Sequence, residues 1–277
     1  MTTWKLLTSA WDWYPSVVVG CALLLAAYVW LVRSRWTARS WFFVAGVVLM
    51  LLDLVSPVDV LGDTYLFSAH MFQHLVLLLL VPPLLIYGTP PWLVERLADY
   101  PALVRTERLL SLPLVAWSIG TITTWAWHAP ILYNAALANE SIHAIEHLTF
   151  LVAGTIFWWP ALKPVELPGG ARRLAPLPSI IYFFLAGAAN SVLGVILTYT
   201  QPGLYPTYVQ PEDALGALSL IRNGWGITAQ LDQEIGGLLM WVLGMVAFFA
   251  AIIAALARWY GAPEPDIPER SMQTQVE

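Results

Sequence analysis

Residues 67–88 read FSAHMFQHLVLLLLVPPLLIYG, and the whole chain is organised around this stretch. It contains no Asp, Glu, Lys or Arg, and a run of about 20 such residues is what a helix needs to cross the hydrocarbon of a bilayer. Its first two turns carry His70 and His74 at i, i+4, a spacing that puts both imidazoles on one helix face. Pro82-Pro83 should kink or loosen the far half of the same helix, because proline lacks an N–H and its ring crowds the preceding turn.

Working outward, the composition extends this reading to the whole chain. Of 277 residues, 58% are hydrophobic and 11% charged, and the mean hydropathy is +0.67. A soluble domain carries about 25% charged residues, so the chain reads as an all-α, polytopic membrane helix bundle. Apolar runs at roughly 15–33, 41–58, 67–88, 110–128, 141–160, 178–200 and 233–258 predict seven transmembrane helices. They share no internal repeat, so residues 1–260 read as a single seven-helix domain. Pro263, Pro265 and Pro268 mark 261–277 as a disordered tail. No cleavable signal is expected at the start, where Lys5 is the only basic residue ahead of the first run. The single cysteine, Cys21, lies within that run and reads as a packing residue.

Basic residues orient the bundle. Arg33, Arg35, Arg39, Arg96, Arg105, Arg108, Lys163, Arg172, Arg173, Arg258 and Arg270 fall on one side of the seven-span topology, and only Lys5 and Arg222 on the other. That division, 11 against 2 of the 13 Lys and Arg, predicts an outer N-terminus and a cytoplasmic C-terminus, since loops retained in the cytoplasm keep their cations.

The same topology brings all 5 histidines to the outer helix ends. His70 and His74 open the third run, His128 closes the fourth in Trp127-His128-Ala129-Pro130, and His143 and His147 open the fifth as a second i, i+4 pair. Neutral imidazoles in such numbers suit zinc, copper, iron or nickel. Asp53, Glu146, Asp232 and Gln233 fall near the same layer and are expected to hold imidazole N–H groups or offset a cation's charge. Met71 and Met240 are candidate soft ligands for Cu(I), against core filler as the commoner role. Asp59 and Asp63 read as solvated acids of an outer loop. The long outer segment after the sixth run reads as an interfacial lid, with a short amphipathic helix from Pro211-Glu212-Asp213 to near Arg222.

Three classes of function remain open on these residues. One is a metal-binding and transfer protein. A second is a membrane-embedded zinc hydrolase, because His143-Ala144-Ile145-Glu146-His147 fits H-x-x-E-H, with two zinc ligands and a general base. The third is a metal-free scaffold, in which the histidines would hydrogen-bond to one another, to carboxylates and to backbone carbonyls. Haem is disfavoured, since one i, i+4 pair cannot supply both axial ligands. Nothing in the composition points to a nucleic-acid partner.

Taken together, Ser68-Ala69-His70-Met71-Phe72-Gln73-His74, Trp127-His128-Ala129-Pro130, His143-Ala144-Ile145-Glu146-His147 and Asp232-Gln233-Glu234-Ile235-Gly236-Gly237-Leu238-Leu239-Met240-Trp241 resemble the CtaG family of caa(3)-type cytochrome c oxidase assembly factors. The motifs occur in the family's order, from about Asp53 to the last run. The resemblance implies a multi-pass protein of the bacterial plasma (inner) membrane that matures a haem–copper oxidase by handling copper. It also implies oxidase subunits as partners, with another copper chaperone as a candidate supplier, and the expected role is binding and transfer without covalent chemistry. Oxidase copper centres lie at or toward the outer side of the membrane, which is where this topology places the histidines.

Overall fold

The computed structural model describes residues 1–261, so the expected disordered tail lies outside the described residues apart from Gly261. Among the described residues the chain is all helical, with no strand. A short α1 (Thr3–Ser9) is capped by Thr2 and precedes α2 (Pro15–Val32). The longer helices that follow are α3 (Ser40–Val55), α4 (Pro57–Thr64), α5 (Phe67–Gly88), α6 (Pro101–Leu110), α7 (Pro113–Trp127), α8 (Pro130–Ala138), α9 (Glu140–Leu162), α10 (Pro176–Tyr199) and α11 (Ala229–Tyr260). Five of these, α2, α5, α9, α10 and α11, are each long and apolar enough to cross a membrane. The pairs α3 with α4 and α6 with α7 reach that length only when joined across bends of 46° and 70°, giving up to 7 spans.

Each bend is written in the local sequence. Ser56 ends α3 in extended backbone and caps α4 by accepting from the Val58 N–H, and Pro57 takes the first helical position, where a missing N–H costs nothing. Leu112 is likewise extended ahead of Pro113, as the residue before a proline prefers. The structure thus corrects the loop reading of Asp59 and Asp63: both lie on α4, and Asp59 is 2% exposed.

The quoted stretch, α5, is the hub. Of its most apolar 18-residue window 67% is buried, against 17% for α2 at the periphery. Its first half packs on α4 and α11, and its second half on α3 and α9. Between the halves, Val76–Leu80 forms a π turn with Val81 N–H bonded to Val76 O, directly before the two prolines expected to loosen the helix. Pro82 cannot donate to the Leu78 carbonyl, and the Trp158 indole of α9 does so instead at 3.0 Å. The fourth and fifth runs are neighbours as expected, α7 packing along α9. The turn between them is instead mostly helical, α8 burying Tyr133 and Ala136 before Asn139 caps α9.

Basic residues gather at one end. Arg173 and Arg258 donate to Ala161 O, Arg35 and Arg96 lie over Trp92, and Lys163 pairs with Glu107. At the other end the segment after α10 folds over the bundle as a lid, though not as the helix expected. Its turns are Pro206–Val209 and Leu220–Gly224, and Asp213 caps the latter region by accepting from Ala217 and Leu218 N–H. Arg222 fastens it through Tyr208 O and Ile227 O.

Candidate metal centre

The centre is built on the first turns of α5. A helix start leaves N–H groups without partners, and here Asp232 of α11 takes them: Oδ2 accepts from Phe67 N at 2.8 Å, and Oδ1 from Ser68 N at 3.0 Å and Ser68 Oγ at 2.6 Å. Asp232 therefore fixes where His70 and His74 sit; it does not hold an imidazole, as had been expected. Gln233 is likewise occupied, donating to Leu197 O and Thr200 O of the α10 terminus. Met240 packs with Phe67 and Met71 in an apolar cluster, the core-filling role. Asp53 is buried, but its carbonyl receives the Gln73 amide, which also donates to Asp59 Oδ1 at 2.8 Å.

The five histidines do converge. Ring centroids are 4.4 Å apart for His70 and His74, 4.1 Å for His143 and His147, 5.2 Å for His70 and His143, 5.9 Å for His74 and His147, and 5.5 Å for His74 and His128. Two triads bring one donor atom from each member within 4.8 Å of the others: His70, His74 and His147, and Asp63, His70 and His143. Glu146 lies beside the first triad, its Oε1 3.4 Å from His74 Nε2 and its Oε2 3.8 Å from His70 Nε2, with no exposure at all. His128 stands apart from both triads. Its Nδ1 faces Thr124 O at 2.6 Å and must donate there, so the lone pair sits on Nε2, 3.1 Å from Met71 Sδ.

What distinguishes this cluster is that its donors lack partners. Both ring nitrogens of His70 and His74, Nε2 of His143 and His147, both oxygens of Glu146 and Oδ1 of Asp63 are buried without a hydrogen bond among the described residues. Buried polar atoms are overwhelmingly paired in folded proteins, and an unpaired carboxylate in a low-dielectric interior is costlier still. The ion pairs of Glu146 and Asp63 among the described residues involve imidazoles only. The donor set, neutral nitrogens with carboxylates, fits a transition-metal cation. Tyr133, Tyr205 and Tyr208 roof it: Tyr133 and Tyr208 share a hydroxyl hydrogen bond at 3.0 Å, and Tyr205 holds His128 O at 2.8 Å. Beside the roof, a cleft of about 240 Å³ lined by Tyr14, Asp59, Asp63, Asn139, His143 and His147 reaches the cluster.

Sequence reasoning missed Asp63, Asp59 and Gln73. The signal was present: Ser56-Pro57 is a helix start, and on the helix it opens Asp59 and Asp63 share a face at i, i+4. Gly62 completes the contact, since a Cβ there would lie 2.8 Å from Gln73 Oε1 and 3.0 Å from His70 N. The H-x-x-E-H reading is not favoured by the geometry. His143 and His147 fall in different triads, and Glu146 points toward His70 and His74, with the cleft lined by its neighbours.

Curated relatives include the uncharacterized protein ML1998 of Mycobacterium leprae, 22% identical over 269 residues that make up 89% of this chain and 39% of the relative. The uncharacterized protein Mb0105 of Mycobacterium bovis is 23% identical over 70% of this chain and 30% of its own length. The chain thus spans well under half the length of the curated relatives it matches. No solved structure matches it. The model of the cytochrome c oxidase caa3 assembly factor family (Caa3_CtaG) matches residues 22–262, most of the chain and every histidine in it, and the protein belongs to that family.

Proposed function

We propose that the protein binds copper in its histidine cluster and hands it to a haem–copper oxidase during assembly, without catalysing a covalent reaction. One observation carries this reading: nitrogen and carboxylate donors from α4, α5 and α9 meet in a buried cluster and are left unpaired there. A scaffold would be expected to saturate those donors, as His128 Nδ1 is saturated by the Thr124 carbonyl. His70, His74 and His147 form the principal site, Glu146 balances the charge, and His128 and His143 complete the ligand pool. Copper is favoured over zinc by the thioether of Met71 beside Nε2 of His128, since a thioether is a soft donor suited to Cu(I). The protein is multi-pass in the bacterial plasma membrane with seven spans, its N-terminus outside and its C-terminus in the cytoplasm. Support for that orientation comes from the 11-to-2 division of its cations. The cluster then faces the side on which oxidase copper centres lie.

The test is elemental analysis of detergent-purified protein reconstituted in parallel with Cu(I) and Zn(II), alongside a His70→Ala/His74→Ala variant. About one copper per chain, lost in the variant, is the expected outcome. Selective zinc retention would redirect the reading to hydrolysis at Glu146, and no bound metal in either preparation would overturn it. Where copper binds, a concentration 100 times its dissociation constant should stabilise the wild type by about 2.7 kcal/mol and leave the variant unshifted in thermal unfolding.

A further inference from the structure

We propose that the cluster is two stations sharing one ligand, with His70 as the ring between them, and that a cation reaches the deep station by way of the cleft station. The inference rests on the metal-binding reading above and adds a second site to it. The cleft station consists of Asp63, His143 and the Nδ1 side of His70; the deep station consists of His74, His147 and the Nε2 side of His70, beneath Glu146.

The geometry supports this at the level of individual atoms. Asp63 Oδ1 lies 3.4 Å from His143 Nε2 and 3.9 Å from His70 Nδ1. Glu146 Oε2 lies 3.8 Å from the opposite nitrogen of the same ring, His70 Nε2. Each nitrogen of His70 thus faces a different carboxylate, and each lacks a hydrogen-bond partner among the described residues. Side-chain exposure falls along the same line, from 24% at Asp63 and 13% at His143 to 3% at His74 and zero at His70 and Glu146. The cleft touches Asp63, His143 and His147 but neither His70 nor His74. A cation arriving from solvent therefore meets the cleft station first. His147 belongs to the deep triad and also lines the cleft, so the two stations adjoin.

Sharing has a chemical consequence. A neutral imidazole offers one lone pair, so His70 can ligate at Nδ1 or at Nε2 but not at both. The stations are occupied in turn, and the chain holds one ion at a time. The cleft station trades affinity for access, whereas the deep station holds the ion out of water with a buried carboxylate beside it.

Loading kinetics with Cu(I) supplied from a colorimetric chelator separate the stations. Wild-type protein should take up one equivalent. Asp63→Asn and His143→Gln should still reach about one equivalent but load at least about tenfold more slowly, whereas His74→Gln should load promptly and surrender its copper to excess chelator at least about tenfold more readily. Thermal unfolding and size-exclusion elution of each detergent-purified variant verify folding, and either cleft variant suffices if the other does not fold. Wild-type loading rates in the folded cleft variants, or two equivalents bound at once by the wild type, would overturn the two-station arrangement while leaving copper binding intact. No copper in the wild type would overturn both.

Discussion

Glu107 and Glu146 are carboxylates withdrawn from water in different parts of the bundle, and the protein treats them in opposite ways. Glu107 of α6 is saturated: Oε1 accepts from Lys163 Nζ at 2.8 Å, Ser111 Oγ at 2.7 Å and Trp159 Nε1 at 3.1 Å, and Oε2 accepts from Ala171 N at 3.1 Å. Burial alone would push its carboxyl up, but these donors, Lys163 foremost, outweigh burial and hold it below the ordinary glutamate value. Lys163, itself 1% exposed, has a second acceptor in Ala171 O. Glu146 of α9 is more deeply buried and has no hydrogen bond among the described residues. The first arrangement ties α6, α9 and the loop after α9 together. The second leaves a carboxyl group to be met by something that arrives, and that difference separates a structural polar cluster from a binding one.

Lys163→Ala puts the contrast to its harshest test. It removes the main partner of a largely buried carboxylate, and breaking a buried pair from one side costs about 3–5 kcal/mol. The expected result is a large fall in the detergent-solubilised protein's unfolding temperature, and a fall of only about a degree would show that the Glu107 cluster does not hold the bundle together. Glu146→Gln should act in the other direction on the metal-free protein. It replaces a buried carboxyl group that has no hydrogen bond among the described residues, so unfolding temperature should hold or rise slightly, while copper affinity falls about 10–100-fold. Marked destabilisation without metal would mean that Glu146 has a structural partner after all.

The smallest effect is in the acid range. Because Glu107 is held below its ordinary value of 4.5 in the folded protein, its contribution to stability is complete above that value and is lost as pH falls through the lower, folded one. Wild-type stability should therefore drop on the acid side of pH 4.5 more steeply than that of Glu107→Gln, as read from unfolding midpoints across a pH series. Parallel curves would remove Glu107 from the account.

Five spans as single long helices and the meeting of the histidines were legible in the sequence, because hydropathy sets the length of a crossing helix and five imidazoles at one level are rare, whereas the second and fourth runs form helices broken by bends. The partners of the histidines were harder to read. Asp232 looked like a second carboxylate for an imidazole, but the unpaired N–H groups at the start of α5 are nearer claimants, and a carboxylate beside a helix start is claimed by the backbone first. Asp63 is hard to see because the short stretch between two long apolar runs reads as a loop. Ser56-Pro57 makes it a helix, and Gly62 allows that helix to lie against His70. Gln73 lies three residues from His70, on a neighbouring strip of the same helix, but an amide is a poor metal ligand, and its place becomes visible only when the bend after α3 brings Asp53 and Asp59 to it.

The π turn at Val76–Leu80 has a consequence for how this helix can change over time. One residue more than an α-helix requires turns everything after it by about 100° relative to everything before. The two halves of α5 therefore answer to different neighbours, and the phase between them is set by a local insertion. Substitutions that tune the ligand-bearing half need not disturb how the other half seats against α3 and α9, and the turn works as a clutch between a chemical face and a packing face on one rod.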